Sequence, residues 1–178
     1  IYVGYRYFDT FDTKPKFEFG YGLSYTDFSI QTDNVLLEKD KLKIKLKVKN
    51  IGKEYSGKEV VQIYMSAPDG KLKKEYQRLV GFTKTKLLQP NEEQEFIQTI
   101  DMENMKSYDE QTASWILETG RYTIRIGNSS RNTKIVAYID IEDNIIFERV
   151  QNICKLDYKI NEIEPENKLQ EFEDDVPV

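Results

Sequence analysis

Between residues 41 and 50 the sequence KLKIKLKVKN alternates without a break: Leu42, Ile44, Leu46 and Val48 take one side, Lys43, Lys45, Lys47 and Lys49 the other. A period of two over this length predicts a strand with one face in a core and one in water. The lysine side reads as a solvated face that also discourages edge pairing, ahead of a basic binding patch. Further runs of strand character follow at 59–67 (EVVQIYMSA), 77–87 (QRLVGFTKTKL), 92–100 (EEQEFIQTI), 114–118 (SWILE), 121–129 (RYTIRIGNS) and 133–141 (TKIVAYIDI). Turn-forming clusters separate them, namely NIGKEYSG, APDGK, QPNEE, ETG and NSSRN. One stretch, DMENMKSYDEQ at 101–111, has room for a helical turn capped by Asp101.

Short strands, tight turns and little helical periodicity predict an all-β fold, an immunoglobulin or fibronectin III-like antiparallel β-sandwich. Its predicted core gathers Leu42, Ile44, Leu46, Val48, Val61, Ile63, Phe82, Trp115, Tyr122, Ile124 and Ile126.

The stretch KPKFEFGYGLSYTDFSI at 14–30 fits neither helix nor ordinary strand. Phe17, Phe19, Tyr21, Tyr25 and Phe28 each bring a large surface to cover, while Gly20 and Gly22 allow positive φ or close approach of another chain. The rings have three destinations: the chain's own core, a sugar, or another domain. Residues 1–24 are assigned to a join segment or aromatic arm, 25–141 to the sandwich, and 142–178 to an acidic linker or docking tail. That tail offers Ile145, Ile146, Val150, Ile153 and Leu156, then drifts into acid. Its last part, standing alone, is expected to be poorly ordered.

The net charge of −5 sits in this tail: residues 141–178 carry −7 and residues 1–140 carry +2. A nearly neutral body has no electrostatic footprint for nucleic acid or an anionic membrane. The 178 residues include no histidine and one cysteine, Cys154, which excludes imidazole catalysis, His-ligated metal and an internal disulfide. Cys154 reads as a small inert hydrophobe. No run reaches membrane-spanning length, and IYVGYRYFDT lacks the regions of a signal peptide. These features lean slightly to the cytoplasm and leave secretion open; the abrupt start reads as a piece of a longer protein.

Three blocks then fall in a recognisable order. VGYRYFDT followed by FEFGYGLSYTDFSI resembles the join between the α/β sandwich domain and the fibronectin type III-like domain of family 3 glycoside hydrolases. VKNIGKEYSGKEVVQIYMSAP is similar to that domain's paired strands, and RLVGFTKTKLLQPNE with SWILETGRYTIRIGNSSRN resembles its closing strands. Together they cover about residues 1–140. Two departures stand out: Pro90–Asn91 where the family often has Pro-Gly, and an acidic tail beyond the point where the module commonly closes the polypeptide. The tail suits a permuted order, as a connector into the catalytic barrel.

Retaining glycosidases need two carboxyl groups ~5 Å apart. The resemblance implies that both lie outside this module, so the expectation is no catalytic, cofactor or metal residue here. Asp9, Asp12 and Asp27 read as turn and cap residues, Asp69–Gly70 as a turn rather than a calcium loop, and GNSSRN as a hairpin rather than a phosphate loop. Trp115 with Tyr122 and Tyr76 offers a sugar-stacking platform as the sharper reading and core as the commoner one.

The resemblance implies a non-catalytic structural module that braces a β-glucosidase or β-xylosidase-type enzyme, with the barrel and α/β sandwich as partners. An autonomous carbohydrate-binding module and an adhesion domain are the alternatives. Tyr5, Arg6, Tyr7, Phe17, Phe19, Tyr21 and Tyr25 are the candidate docking residues, with an outer substrate subsite as their second reading. On this view the rings of residues 1–28 cover little of the sandwich and much of a neighbouring domain. The isolated chain then either self-associates through the exposed rings or leaves residues 1–16 disordered.

Overall fold

The computed structural model describes residues 1–151, 153, 157–158 and 161–165. Cys154, Leu156 and the acid-rich end at 166–178 lie outside them. Along the chain come helix α1 (Tyr5–Thr10), β1 (Phe28–Glu38), β2 (Lys41–Asn50), β3 (Val60–Ser66), β4 (Arg78–Lys84) and β5 (Glu93–Asp101). A 3-10 helix (Met102–Met105) follows, then β6 (Ser107–Asp109), β7 (Ser114–Leu117), β8 (Gly120–Gly127), β9 (Thr133–Ile141) and β10 (Ile145–Arg149). Among the described residues every strand pairing is antiparallel. The sheets run β1-β2-β5, β4-β3-β8-β9 and a small β10-β7-β6.

The first two sheets face each other as a sandwich, with the fold class the alternation predicts. Leu42, Ile44, Leu46 and Val48 of β2 meet Val61, Ile63 and Met65 of β3 and Tyr122, Ile124 and Ile126 of β8 in one buried cluster. Each such side chain contributes about 1.5–3 kcal/mol relative to exposure. On the outer face of β2, Lys45 and Lys47 pair with Glu95, Lys43 with Glu38 and Lys41 with Asp101. The lysine side is therefore a solvated ladder of ion pairs, each worth little.

Two residues assigned to the core are elsewhere. Phe82 is 66% exposed, because β4 bulges where Ile63 pairs with Gly81 but Tyr64 with Leu79. The unpaired Val80 lets Gly81 face Ile100 and sets Phe82 beside Gln62 on the far side of the sheet. Trp115 is only half-buried, on β7 of the small sheet, tilted against Tyr108 with Lys106 over its ring.

The 3-10 helix occupies the stretch expected to turn, with Asp101 at its N-cap position. The Asp101 carboxylate makes no cap bond and pairs with Lys41 instead. Residues 145–149, read as linker, form β10 on the edge of β7. Beyond it, Glu162 and Glu164 reach back to Lys73 at 2.9 and 2.6 Å.

Asn50 shows how a polar residue ends a strand in the interior. It is fully buried, and its Oδ1 accepts from Thr26 Oγ1 at 2.6 Å and Gly52 N–H at 3.0 Å. Its Nδ2 donates to Tyr55 O at 2.9 Å and Leu88 O at 3.0 Å. The side-chain amide thus has all four of its hydrogen bonds. It ties the end of the arm to the 51–57 loop and the approach to β5.

Candidate docking surface

β3 and β8 are buried on both faces, which a solvated sandwich strand is not. The arm covers their outer face at Gln62 and Tyr64, and Tyr76 covers it at Arg125. α1 starts after Gly4, whose φ of +61° suits glycine. The helix projects Tyr5 onto the sheet, where its ring meets Tyr64 edge-on at 5.7 Å and its hydroxyl accepts from Leu79 N–H at 2.8 Å. Asp9 and Thr10 are buried at the end of the helix. Gln77 Nε2 and Arg131 Nε donate to Asp9 at 2.9 and 3.0 Å. Arg131 also donates to Phe8 O and Thr13 O at 3.0 and 3.1 Å, so one guanidinium staples the turn after α1. Burial pushes the Asp9 carboxyl up, and the Gln77 and Arg131 bonds only partly offset it. The helix and its buried acid carry no periodic signal, and sequence reasoning missed both.

The loop after α1 is pinned at Phe19 O, which accepts from Ser130 N–H at 2.8 Å, and at Glu18, which accepts from Ser129 Oγ at 3.0 Å. Gly20 directly follows these anchors with φ +89°, against Gln62 and the Asn128 carbonyl. The close approach that glycine permits is thus to this chain's own sandwich, while Gly22 faces open space.

The expectation that the rings of residues 1–28 cover little of the sandwich is corrected at Tyr5 and Phe28, and the arm's backbone is itself anchored at Phe8, Thr13 and Phe19. The rings divide accordingly. Tyr5 is half-buried and stacks on Phe19 at 5.1 Å; Arg6 is half-buried and reaches Glu75 at 3.9 Å; Tyr7 stacks on Phe11 at 4.6 Å. Phe28 packs against the core. Phe17, Phe19, Tyr21, Leu23 and Tyr25 remain 48–91% exposed. Phe17 pairs with Tyr21 at 4.9 Å and Tyr25 with Tyr55 at 5.7 Å. Phe82 joins the exposed set on the sheet's outer face, a member that the bulge hides from sequence.

Trp115, Tyr122 and Tyr76 do not assemble into a platform. Tyr122 is buried, its hydroxyl donates to Glu118 O at 3.0 Å, and burial pushes its phenol up to about 12. Tyr76 packs under Arg125. Glu118 is itself buried and accepts from the N–H groups of Lys71 and Leu72 and from the Lys74 ammonium. Burial pushes its carboxyl up, but the Lys74 bond and charge with the two backbone donors prevail and hold it below the ordinary carboxylate value. Among the described residues no group of three or more Cys, Asp and Glu is placed to hold a metal ion, and no helix is long and apolar enough to cross a membrane.

Residues 59–130 match the family model of the fibronectin type III-like domain. The chain is 42% identical to β-glucosidase A of Butyrivibrio fibrisolvens, over 85% of this chain and 21% of that protein. It is 41% identical to a β-glucosidase of Ruminococcus albus, over 85% and 16% respectively. Its fold superposes on a β-glucosidase of Paenibacillus barengoltzii with a TM-score of 0.82 at 41% identity, covering 85% of this chain and 18% of that one. A GH3 β-glucosidase of Bifidobacterium adolescentis gives 0.73 at 30% identity, covering 80% and 21%. The chain spans about a fifth of the length of these relatives. By sequence and fold together, it belongs to the family 3 glycoside hydrolases as their fibronectin type III-like domain, with the join segment that precedes it.

Proposed function

We propose that this chain is a non-catalytic bracing module of a β-glucosidase-type glycoside hydrolase, and that its aromatic arm docks on the other domains of the same polypeptide. One observation carries the proposal. Phe17, Tyr21, Leu23 and Tyr25 stand exposed on backbone that is pinned at Glu18, Phe19 and Gly20. Holding apolar rings in water on a fixed scaffold is favourable only if something covers them. A pre-ordered surface of this kind docks with less entropy to lose than a flexible one. The relatives are about five times as long as the region matched, which supplies the partner surface within one polypeptide.

The test is a chimera in which this chain replaces the matching region of the Butyrivibrio fibrisolvens β-glucosidase A. A folded chimera that hydrolyses an aryl β-glucoside is expected, with a lower Tm when Phe17, Tyr21 and Tyr25 are changed to Ser. The chain alone is expected to give no turnover above a buffer blank, since catalysis is assigned to the other domains. Turnover by the purified chain, or a chimera indifferent to loss of the rings, would overturn the proposal.

A further inference from the structure

A cleft of about 280 Å³ opens where the end of α1 meets the end of β3, the 69–76 loop and the start of β8. Its walls are set by the fold. Glu118 fixes the 71–72 backbone from below, and Gly120, at φ +129°, sits so close to Pro68 that a Cβ would meet the ring at 2.7 Å. The wall carries Asp69 and Glu75 against Lys74 and Arg121, so its charges balance.

Its hydrogen-bonding capacity is only partly used. Thr10 Oγ1 accepts from Tyr76 N–H at 2.9 Å and Ser66 Oγ from Arg125 Nε–H at 3.4 Å, which leaves both hydroxyl hydrogens able to donate. Glu75 is 5% exposed; its Oε1 is held by Arg78, while its Oε2 is buried with no hydrogen-bond partner. An orphaned carboxylate oxygen is costly, so a donor is expected to reach it.

We propose that this cleft binds one small neutral polyol, a single sugar ring or a short polyhydric alcohol. Its hydroxyls donate to the Glu75 carboxylate and accept from Thr10 and Ser66, while Tyr76 borders its apolar edge. An apolar ligand would leave those groups unpaired. An anion would face Glu75 and Asp69, and a cation would face Lys74 and Arg121. At 280 Å³ the cleft lies just under the usual small-molecule range of ~300–1,000 Å³, which suits one ring and not a chain of them. The site uses none of the exposed rings, so it stands or falls apart from the bracing role.

The experiment is an amide-resolved NMR titration of the full chain with D-glucose, with glycerol and, as an anion control, with inorganic phosphate. Saturable shifts confined to the amides of residues 10, 66, 67, 69, 74–76, 121 and 123 are expected with at least one polyol. Glucose alone would assign the sugar ring, and glycerol as well the wider class. Ser66→Ala should weaken binding about fivefold, the loss of one neutral hydrogen bond, with its dispersed spectrum showing that it folds. Glu75→Gln should weaken it further; should that variant unfold, Ser66→Ala decides alone. No saturable shift at molar polyol would mean that water satisfies Glu75 and would overturn the proposal. So would unchanged affinity in folded Ser66→Ala, or preference for phosphate.

Discussion

Gly20 lies so close to Gln62 that a Cβ placed on it would come within 2.2 Å of the Gln62 amide nitrogen and 2.9 Å of the Asn128 carbonyl oxygen. The Gln62 amide has little room to yield, since it donates to Asn128 O at 2.8 Å and accepts from the Tyr64 hydroxyl. Gly20→Ala should therefore cost about 1–3 kcal/mol, combining a strained φ with a displaced buried hydrogen bond. Gly22→Ala, with nothing within 4 Å, should stay within about 0.5 kcal/mol of the parent. Urea denaturation of the two variants separates them, and equal midpoints would mean that the arm is not held at Gly20.

Glu118 and Lys74 form a buried ion pair whose carboxylate also closes the 71–72 backbone. Removing one member leaves a buried charge, so Lys74→Met should cost about 3–5 kcal/mol. The pH dependence has a definite sign. The folded Glu118 carboxyl titrates below its ordinary value of 4.5, so its contribution is complete above that value and is lost as the pH falls through the lower folded one. Stability measured from pH 7 down to pH 3 should fall less steeply in Glu118→Gln than in the parent. Parallel curves would show that Glu118 titrates alike in the folded and unfolded chain.

β2 was the most legible strand, because Leu42 to Val48 carry the period-two signal that burial of one face imposes. β1 (Phe28–Glu38) is absent from the runs read as strands, its register shifting between Thr32 and Asn34 and its second half staying mostly exposed. Phe82 was misplaced because a bulge breaks that period by one residue, and nothing in RLVGFTK marks which residue goes unpaired. β10 was hidden because its Ile145 and Ile146 sit on an edge and stay exposed, which leaves a short apolar run inside acidic sequence. The arm's anchors depend on contacts across long separations: Asp9 with Gln77 and Arg131, Gly20 with Gln62. An aspartate in a polar stretch looks the same whether it caps a turn or is buried under a sheet.

Trp115 and Phe82 give a direct check on the corrected core. Trp115 is half-buried, tilted against Tyr108 with Lys106 over its ring, so Trp115→Ala should cost about 1–2 kcal/mol, below the 3–5 kcal/mol of a fully buried tryptophan. Phe82→Ser should change stability by less than about 0.5 kcal/mol, whereas Ile124→Ala, fully buried, should cost about 2–5 kcal/mol. Trp115 is the chain's single tryptophan, so its emission reports its own surroundings and should be quenched by acrylamide in the folded state. Full protection from the quencher would return Trp115 to the core.

The exposed rings make a prediction about the isolated chain. Phe17, Tyr21, Leu23 and Tyr25 are 48–91% exposed on the anchored loop, and such patches tend to find each other. Sedimentation of the chain should therefore show mass rising with concentration. A variant with these four residues changed to Ser should stay monomeric while keeping the parent's urea midpoint, because those side chains contribute little to the sandwich. Deleting residues 1–24 is a different perturbation. It removes Tyr5 from Tyr64, Asp9 from Gln77 and the backbone bond of Phe19 to Ser130, and it uncovers the outer face at Gln62 and Tyr64. The truncated chain should be less stable than the parent by several kcal/mol on the scale of about 1 kcal/mol per buried hydrogen bond lost. A parent that is monomeric at every concentration would show the rings to be tolerated in water as they stand, and the docking role would lose its support.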